Sequence, residues 1–433
     1  MEIKIWGLLL VGALTLLPAL GKAQAPTLGA PPPPKDSVEL RYYYSDAPER
    51  TYAVVDTSMD FLNQFDPVRQ QPVEWLNLGN LGTAHRRLYF QPIYRRGIVA
   101  GQSQFDLYRI LPDSLAYYQL GQAYSDAFFS QGGSQEDGYF QGKFSRNFGP
   151  QVNLTAHYKR LNQTGTRTNF KYANQRAQNT ALAVGFRFRS ADRRYDGFLS
   201  YHFDIIRQEN NGGVLNPNVL EQPDFPGAFA AAVKLSNSIT RHDHRSFNLT
   251  QYYHLISPDT AELRLSLKHR AAYRLHRYKT TDELGAPSAQ DSTFYGPLLT
   301  DSRGLRHFLE MRELTNHFSL LFGRKAQQLE AGLWHTFYTI DEEDERSNPQ
   351  NLYLTGRLQL STGKNLRLDA RAQLGLLERQ AGDYRVEGSL FVGDFLTVEL
   401  INQLYAPTLT EERILISGRE VWNTDFSKTL SNT

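Results

Sequence analysis

The residue types used in hydrolysis are present in this 433-residue sequence, but their spacing forms no catalytic motif. His317 and Ser319 are two residues apart, so they would share one face of a strand. A serine nucleophile also needs a third group that orients the histidine, and the sequence contains no Gly-x-Ser-x-Gly turn. There is no cysteine, which excludes thiol catalysis and cysteine-based zinc sites. We therefore predict that the protein is not an enzyme, with hydrolysis as a minor alternative.

Two short stretches contain residue types that bind metals. Residues 341–345 read DEEDE, but they lack the glycine and the 12-residue ligand spacing of a calcium loop, which favours a solvated loop. His242 and His244 flank Asp243 in a polar run that we interpret as a loop, and a lone His-x-His pair is weak evidence for a metal site. We expect neither a metal nor another cofactor.

The clearest chemical pattern is a set of regularly spaced cations. In residues 262–279, ELRLSLKHRAAYRLHRYK, alternate positions carry leucine, so the opposite face of a strand would carry Arg264, Lys268, Arg270 and Arg274. Similar strands would add Arg187, Arg189, Arg357, Arg367 and Arg371. If these faces line a pore, their positive charge would favour anions. The alternative is that nearby carboxylates neutralise them, with Asp196, Asp204, Asp369 and Glu387 as the candidates.

The elements that would position these cations are β-strands. From Phe105 onward, apolar and polar residues alternate with a period of two, as in Leu182, Val184, Phe186 and Phe188. We count roughly 14 to 16 such runs, each near the length of a tilted strand that crosses a membrane. Short connectors such as residues 190–194 alternate with long polar ones such as residues 207–227. The mean hydropathy of −0.49 excludes a bundle of membrane helices.

These patterns predict an all-β fold, a transmembrane antiparallel β-barrel of the outer-membrane type. Soluble sandwiches also alternate, but their strands are shorter and their buried rows favour valine and isoleucine over the leucine found here. The apolar rows would contact lipid, and the polar rows would face a water-filled lumen.

The chain before the barrel divides into three segments. Residues 1–23 have a basic start, an apolar core and a small-x-small end, which predicts a signal peptide and export through the Sec pathway. Residues 24–37 include four consecutive prolines and predict an extended linker. Residues 38–104 are irregular, and we predict a periplasmic segment or one at the barrel mouth, followed by the barrel over residues 105–433.

Several stretches resemble a porin family of Gram-negative outer membranes. They are YYYSDAP at 42–48, DTSMDFLNQFDPVRQ at 56–70, LNLGNLGTAHRRLYFQP at 76–92, NNGG at 210–213 and VWNTDFSKT at 421–429. The resemblance implies an antiparallel barrel in the outer membrane and says little about the solute. In that family the last motif is followed by further strands, so the resemblance also implies that the barrel in this chain is incomplete.

The expected function is passive diffusion of small hydrophilic solutes, with a preference for anions. The expected partners are outer-membrane lipid, these solutes and the barrel-assembly machinery during biogenesis, with a homo-oligomer left open. The formal net charge of +2 gives no basis for nucleic-acid binding. Two alternatives remain: a non-conducting barrel with a structural or envelope-assembly role, its lumen filled by its own segments, and an outer-membrane hydrolase. The irregular segment is shorter than a typical plug domain, which disfavours a ligand-gated transporter.

Overall fold

The computed structural model describes most of the chain from Leu40 to Thr433. The described ranges are 40–53, 65–71, 74–90, 92–132, 135–167, 170–171, 175–221, 232–235, 237–256, 263–283, 294–299, 303–324, 327–343, 345–362, 365–393 and 395–433. The predicted signal peptide and proline-rich linker lie outside these ranges. No helix within them is long and apolar enough to cross a membrane.

Five short strands precede the main sheet. They are β1 (Arg41–Tyr44), β2 (Ala47–Ala53), β3 (Trp75–Asn77), β4 (His85–Arg87) and β5 (Tyr117–Gln119). β1 pairs with both β2 and β5, and β3 pairs with β4. Single 3-10 turns, Asp106–Tyr108 and Pro112–Ser114, lead into β5.

The rest of the described chain is almost entirely strand. The strands are β6 (Tyr124–Gln131), β7 (Gly138–Phe148), β8 (Val152–Gln163), β9 (Thr166–Arg167), β10 (Phe170–Lys171), β11 (Ala177–Arg189), β12 (Tyr195–Asn210), β13 (Ser238–His254), β14 (Leu263–Asp282), β15 (Leu305–Arg324), β16 (Gln327–Glu342), β17 (Glu345–Ser347), β18 (Gln350–Thr362), β19 (Leu366–Gly375), β20 (Tyr384–Val392), β21 (Leu396–Tyr405), β22 (Arg413–Ile416), β23 (Arg419–Asn423) and β24 (Thr429–Asn432). A helix of four residues, α1 (Leu409–Glu412), begins at a capping box on Thr408.

Fifteen strands form one antiparallel sheet. Its order is β24-β21-β20-β19-β18-β16-β15-β14-β13-β12-β11-β8-β7-β6, and β17 pairs with β16. The prediction of an all-β chain with a large antiparallel sheet is confirmed. Among the described residues β6 and β24 do not pair with each other, so the sheet is open in this structure.

The two faces of the sheet have the reverse of the polarity found in a soluble protein. On β12 the buried positions include Asp196, His202 and Asp204, whereas Leu199 is half exposed. On β15 Thr315 and Ser319 are buried while Phe318 and Leu320 are exposed. A protein in water buries its apolar side chains, so an exposed apolar face and a buried polar face fit a lipid exterior and a polar interior.

A charged row limits the apolar band on the outer face. Along β15 the outward residues from Leu314 to Phe322 are mainly apolar and span nine positions, close to the length of a tilted membrane strand. Beyond Leu314, Glu310 pairs with Arg277 of β14 at 2.5 Å and with Arg312. Because β14 and β15 have 20 residues each, they extend past the apolar band into this charged row.

The described residues between 40 and 119 are here called the inner segment, which packs against the inner face of the sheet. Ile110, Leu115 and Tyr117 share a buried cluster with residues of β11, β12, β13 and β15. Val68, Phe105 and Tyr108 form a second cluster with Tyr139, Leu161 and Ile206. Contact with strands this far apart in the sheet means that the sheet curves around the segment.

The predicted domain boundary at residue 105 precedes the first strand of the sheet, which begins at Tyr124. Residues 105–119 belong to the inner segment, because β5 pairs with β1 and Leu115 is buried against the sheet. The irregular residues 38–104 contain β1 to β4, and their described part lies against the inner face.

Candidate functional site

Two cavities lie between the inner segment and the sheet. The first, here called the Trp334 cavity, has a volume of about 460 Å³ and is bounded by Tyr94, Arg96 and Asp113 of the inner segment and by strands β14 to β20. The second, the Asp196 cavity, has a volume of about 630 Å³ and is bounded by β1, β2 and strands β11 to β19. Both volumes are in the range of small-molecule sites.

The structure places all nine predicted cations along these two cavities. The Trp334 cavity is lined by Lys268, Arg270, Arg274, Arg357 and Arg371. The Asp196 cavity is lined by Arg187, Arg189, Arg264 and Arg367. They share a location because strand alternation puts each of them on the inner face.

Seven of the nine cations have a carboxylate partner. Asp196, with 1% of its side chain exposed, pairs with Arg187 at 2.8 Å and with Arg189. The remaining five pairs are Arg270 with Asp113, Lys268 with Glu330 at 3.3 Å, Arg274 with Glu313 at 3.2 Å, Arg367 with Asp369 at 3.2 Å and Arg371 with Glu387 at 3.4 Å. The predicted neutralising roles of Asp196, Asp369 and Glu387 therefore fit the geometry. Asp204 instead pairs with Arg109 of the inner segment at 3.7 Å.

Positive charge is nevertheless in excess in both cavities. The Trp334 cavity has seven basic and five acidic side chains on its lining, and the Asp196 cavity has six and three. Within the described ranges neither Arg264 nor Arg357 has an ion-pair partner, and the Nε of Arg357 is buried without a hydrogen bond.

Sequence reasoning missed several residues of the Trp334 cavity. Arg96 lies over the ring of Trp334 at 4.3 Å and donates from Nε to Gln373 at 2.8 Å. Arg385 and Tyr94 also line this cavity. Alternation on β20 would have placed Arg385 beside Glu387, but no local signal places Tyr94 and Arg96 inside the sheet.

Backbone and side-chain hydrogen bonds hold the inner segment in place. The Ile110 N–H donates to Asp204 at 3.1 Å, the Gly97 N–H to the Tyr353 hydroxyl at 3.0 Å, and Gln373 to the Arg95 carbonyl at 2.7 Å. Burial alone would raise the pKa of Asp113, but the neighbouring Arg270 guanidinium outweighs burial and holds that pKa below its usual value.

The structure places His317 and Ser319 on one face, as predicted, but does not join them as a catalytic pair. The Ser319 hydroxyl donates to Glu330 at 2.7 Å, and His317 Nε2 contacts the Thr355 hydroxyl at 3.1 Å. The serine proton is therefore directed at a carboxylate.

The two candidate metal stretches lie in strands and a hairpin. The interpretation of His242 and His244 as loop residues is wrong: both are buried on the inner face of β13, and His244 contacts His276 at 2.7 Å. The sequence around His242 and His244 is polar because β13 extends past the apolar band there. Both faces of the strand therefore carry polar residues. Of residues 341–345, Asp341 and Glu342 end β16 and Glu345 begins β17, and Arg346 pairs with Asp341; Asp344 lies outside the described residues. Within the described ranges no three potential ligands are grouped to hold a metal ion.

Comparisons with known proteins agree with the resemblance found in the sequence. A family model described as "Putative porin" matches residues 41–433. No curated protein shows significant similarity to the chain.

Among solved structures, the FpvAI–pyocin S2 complex matches with a TM-score of 0.38 and 11% identity over 67% of this chain and 45% of that one. FpvA of P. aeruginosa bound to heterologous pyoverdines matches with a TM-score of 0.38 and 10% identity over 68% of this chain and 44% of that one. The siderophore receptor PirA from Acinetobacter baumannii matches with a TM-score of 0.21 and 8% identity over 68% of this chain and 69% of that one. The chain spans less than half the length of the FpvA structures, and similarity this low supports no conclusion about function.

Proposed function

Since this chain belongs to that porin family, we propose that it is an outer-membrane channel for passive diffusion of small hydrophilic solutes, with a preference for anions. The observation that carries the proposal is the polarity of the sheet: its exposed face is apolar, and its inner face encloses two polar cavities with excess positive charge. A polar interior lowers the free energy of a charged solute relative to the hydrocarbon core of a bilayer.

The nine cations on the inner face are the residues proposed to set charge preference. The electric field in a narrow pore depends on the net charge close to the path of the solute. Arg264 and Arg357 have no described ion-pair partner, so they should contribute most to the charge preference. Lipid and the barrel-assembly machinery remain predicted partners, and a homo-oligomer remains open.

The test is the reversal potential of the purified protein in a planar bilayer under a KCl gradient. We expect stable current steps and a reversal potential displaced toward that of chloride. The double variant Arg264→Gln/Arg357→Gln should reduce the chloride preference, while Arg346→Gln, in the hairpin outside both cavities, should not. Equal permeability of K⁺ and Cl⁻ would remove the anion preference.

A second candidate is a non-conducting barrel with a structural or envelope-assembly role. The packing of the inner segment against the inner face favours it, because this segment occupies space that a solute would need. A variant that lacks residues 41–119 separates the two functions. The intact protein would give no current steps and the shortened one large steps if the segment blocks the lumen, whereas steps in both support the channel.

A further inference from the structure

The excess positive charge of the Trp334 cavity is confined to one side. On the β14–β16 side, Lys268, Arg270 and Arg274 each have their own carboxylate. On the β18–β20 side, Arg371 and Arg385 share the single carboxylate of Glu387, at 3.4 and 2.7 Å. Arg96 and Arg357 line the same cavity and, among the described residues, have no ion-pair partner at all. Asp46, the fifth carboxylate of the lining, lies beside Lys268, whose Nζ donates to the Asp46 carbonyl at 3.3 Å, so four guanidinium groups face the single carboxylate of Glu387.

Strand register accounts for the isolation of Arg357. Its partner on β16 is Glu330, and its partner on β19 is Arg371. The Glu330 carboxylate is engaged by Lys268 at 3.3 Å and by Ser319 at 2.7 Å, which draws it away from Arg357. Arg357 and Arg371 are therefore directly opposed like charges, an arrangement that destabilises a sheet unless an anion lies between them.

The donors and walls of the cavity suit a specific class of ligand. Arg357 lines the cavity, and its Nε is buried without a hydrogen bond, so this donor lacks an acceptor among the described residues. Guanidinium groups bind the paired oxygens of carboxylate and phosphate in a planar, bidentate geometry. Trp334 and Tyr338 supply apolar surface to the lining, and the volume of about 460 Å³ fits a small organic molecule.

We propose that the Trp334 cavity is a binding site for a small anionic solute whose carboxylate or phosphate oxygens are bound between Arg357 and Arg371. This inference rests on the proposed function, because it names the class of solute that the channel would admit. Such a site concentrates the anion in the lumen, and conduction then requires that binding be weak enough for release.

Tryptophan fluorescence tests binding without any need for conduction. With Trp75→Phe and Trp422→Phe in the full protein, Trp334 is the only tryptophan after residue 6. The probes are citrate and inorganic phosphate at low ionic strength, with sucrose as the neutral comparison. We expect a saturable change with at least one of the anions and none with sucrose.

Substitutions locate the site. Arg357→Gln and Arg371→Gln should each raise the half-saturating concentration about tenfold or more, since each removes a charge-assisted bond. Arg357→Lys keeps the charge without the planar fork and should lie between Arg357→Gln and the unchanged protein. Arg346→Gln is the control and should bind as the unchanged protein does. Far-UV circular dichroism confirms that each variant is folded, and Arg357→Lys keeps the test decisive if a glutamine variant fails to fold.

The outcomes separate this site from the channel. No saturable change with either anion, an equal change with sucrose, or unaltered binding in the folded arginine variants would overturn the site. Saturable anion binding without current steps would overturn the channel and leave the site. Current steps with no saturable binding would overturn the site and leave the channel.

Discussion

Asp196 pairs with two arginines, whereas Asp369 of the same cavity pairs with one. It is almost fully buried, and it accepts hydrogen bonds from both Arg187, at 2.8 and 2.9 Å, and Arg189, at 3.0 Å. A single carboxylate thus compensates the charge of two predicted pore cations, Arg187 with 13% and Arg189 with 36% of its side chain exposed. Removing its charge leaves both guanidinium groups uncompensated.

Asp196→Asn should therefore destabilise the protein and increase its anion preference. We expect a loss of about 3–5 kcal/mol in unfolding free energy, the usual result of removing one partner from a buried pair. The reversal potential in a KCl gradient should move toward that of chloride. Asp192→Asn, in the exposed turn between β11 and β12, should change neither quantity, and an unaltered reversal potential in Asp196→Asn would contradict the assigned role.

His85 makes the packing of the inner segment sensitive to pH. Burial lowers its pKa from 6.5 to about 4, because the protein disfavours the charged imidazole. Its Nε2 accepts a hydrogen bond from the Leu107 N–H at 3.2 Å, which requires the neutral ring. The lowered pKa means that the packed state is fully stable above pH 6.5 and loses stability as pH falls toward 4.

We expect hydrogen exchange in residues 74–90 to accelerate between pH 6.5 and 4, after correction for the intrinsic rate. The loss of local stability should reach at most about 3 kcal/mol at pH 4. His85→Gln should flatten this dependence in the same residues. Equal pH dependence in the two proteins would show that another group controls the segment.

At the scale of elements, alternation predicted the strands far better than it predicted their contacts. The rows around Val184 and Phe186 indicated β11, and the connectors indicated which strands are joined tightly. Alternation could not predict where the inner segment lies, because single hydrogen bonds to residues distant in sequence hold it in place. The Ile110 N–H, for example, donates to the Asp204 carboxylate. The cations of the candidate site were predictable as residues of the inner face. Their partners Asp113 and Arg96 were not, since both come from the inner segment.

Gly97 illustrates an anchor that needs a particular residue. Its φ is +73°, and a Cβ there would overlap the Tyr338 hydroxyl and the Asn351 amide. Gly97→Ala should weaken the contact of the inner segment with β16 and β18 by about 1–3 kcal/mol. Limited proteolysis should then cut residues 92–119 faster. Gly121→Ala is the matched control, because a Cβ at Gly121 meets nothing within 4 Å, and equal cleavage of both variants would contradict this anchoring.

At the scale of the whole molecule, the exposed apolar face implies a lipid environment. Leu320, with 46% of its surface exposed, lies in the apolar band of β15. Leu320→Arg should cost about 2–4 kcal/mol of folding free energy in lipid vesicles, as charged substitutions do near the midplane of a barrel. Thr281→Arg, near the charged row on β14, should cost much less. Equal stability of the two variants in vesicles, or a stable protein without detergent, would contradict the membrane placement.

The inner segment also constrains the order of assembly. The inner segment is synthesised before the strands that surround it, and its described residues contact strands from β7 to β20. Because the sheet curves around these residues and its strands are joined by hydrogen bonds, we expect the segment to pack against the inner face while the later strand pairs are still forming. In that order of folding, the first part of the chain would serve as a template on which the later strands fold.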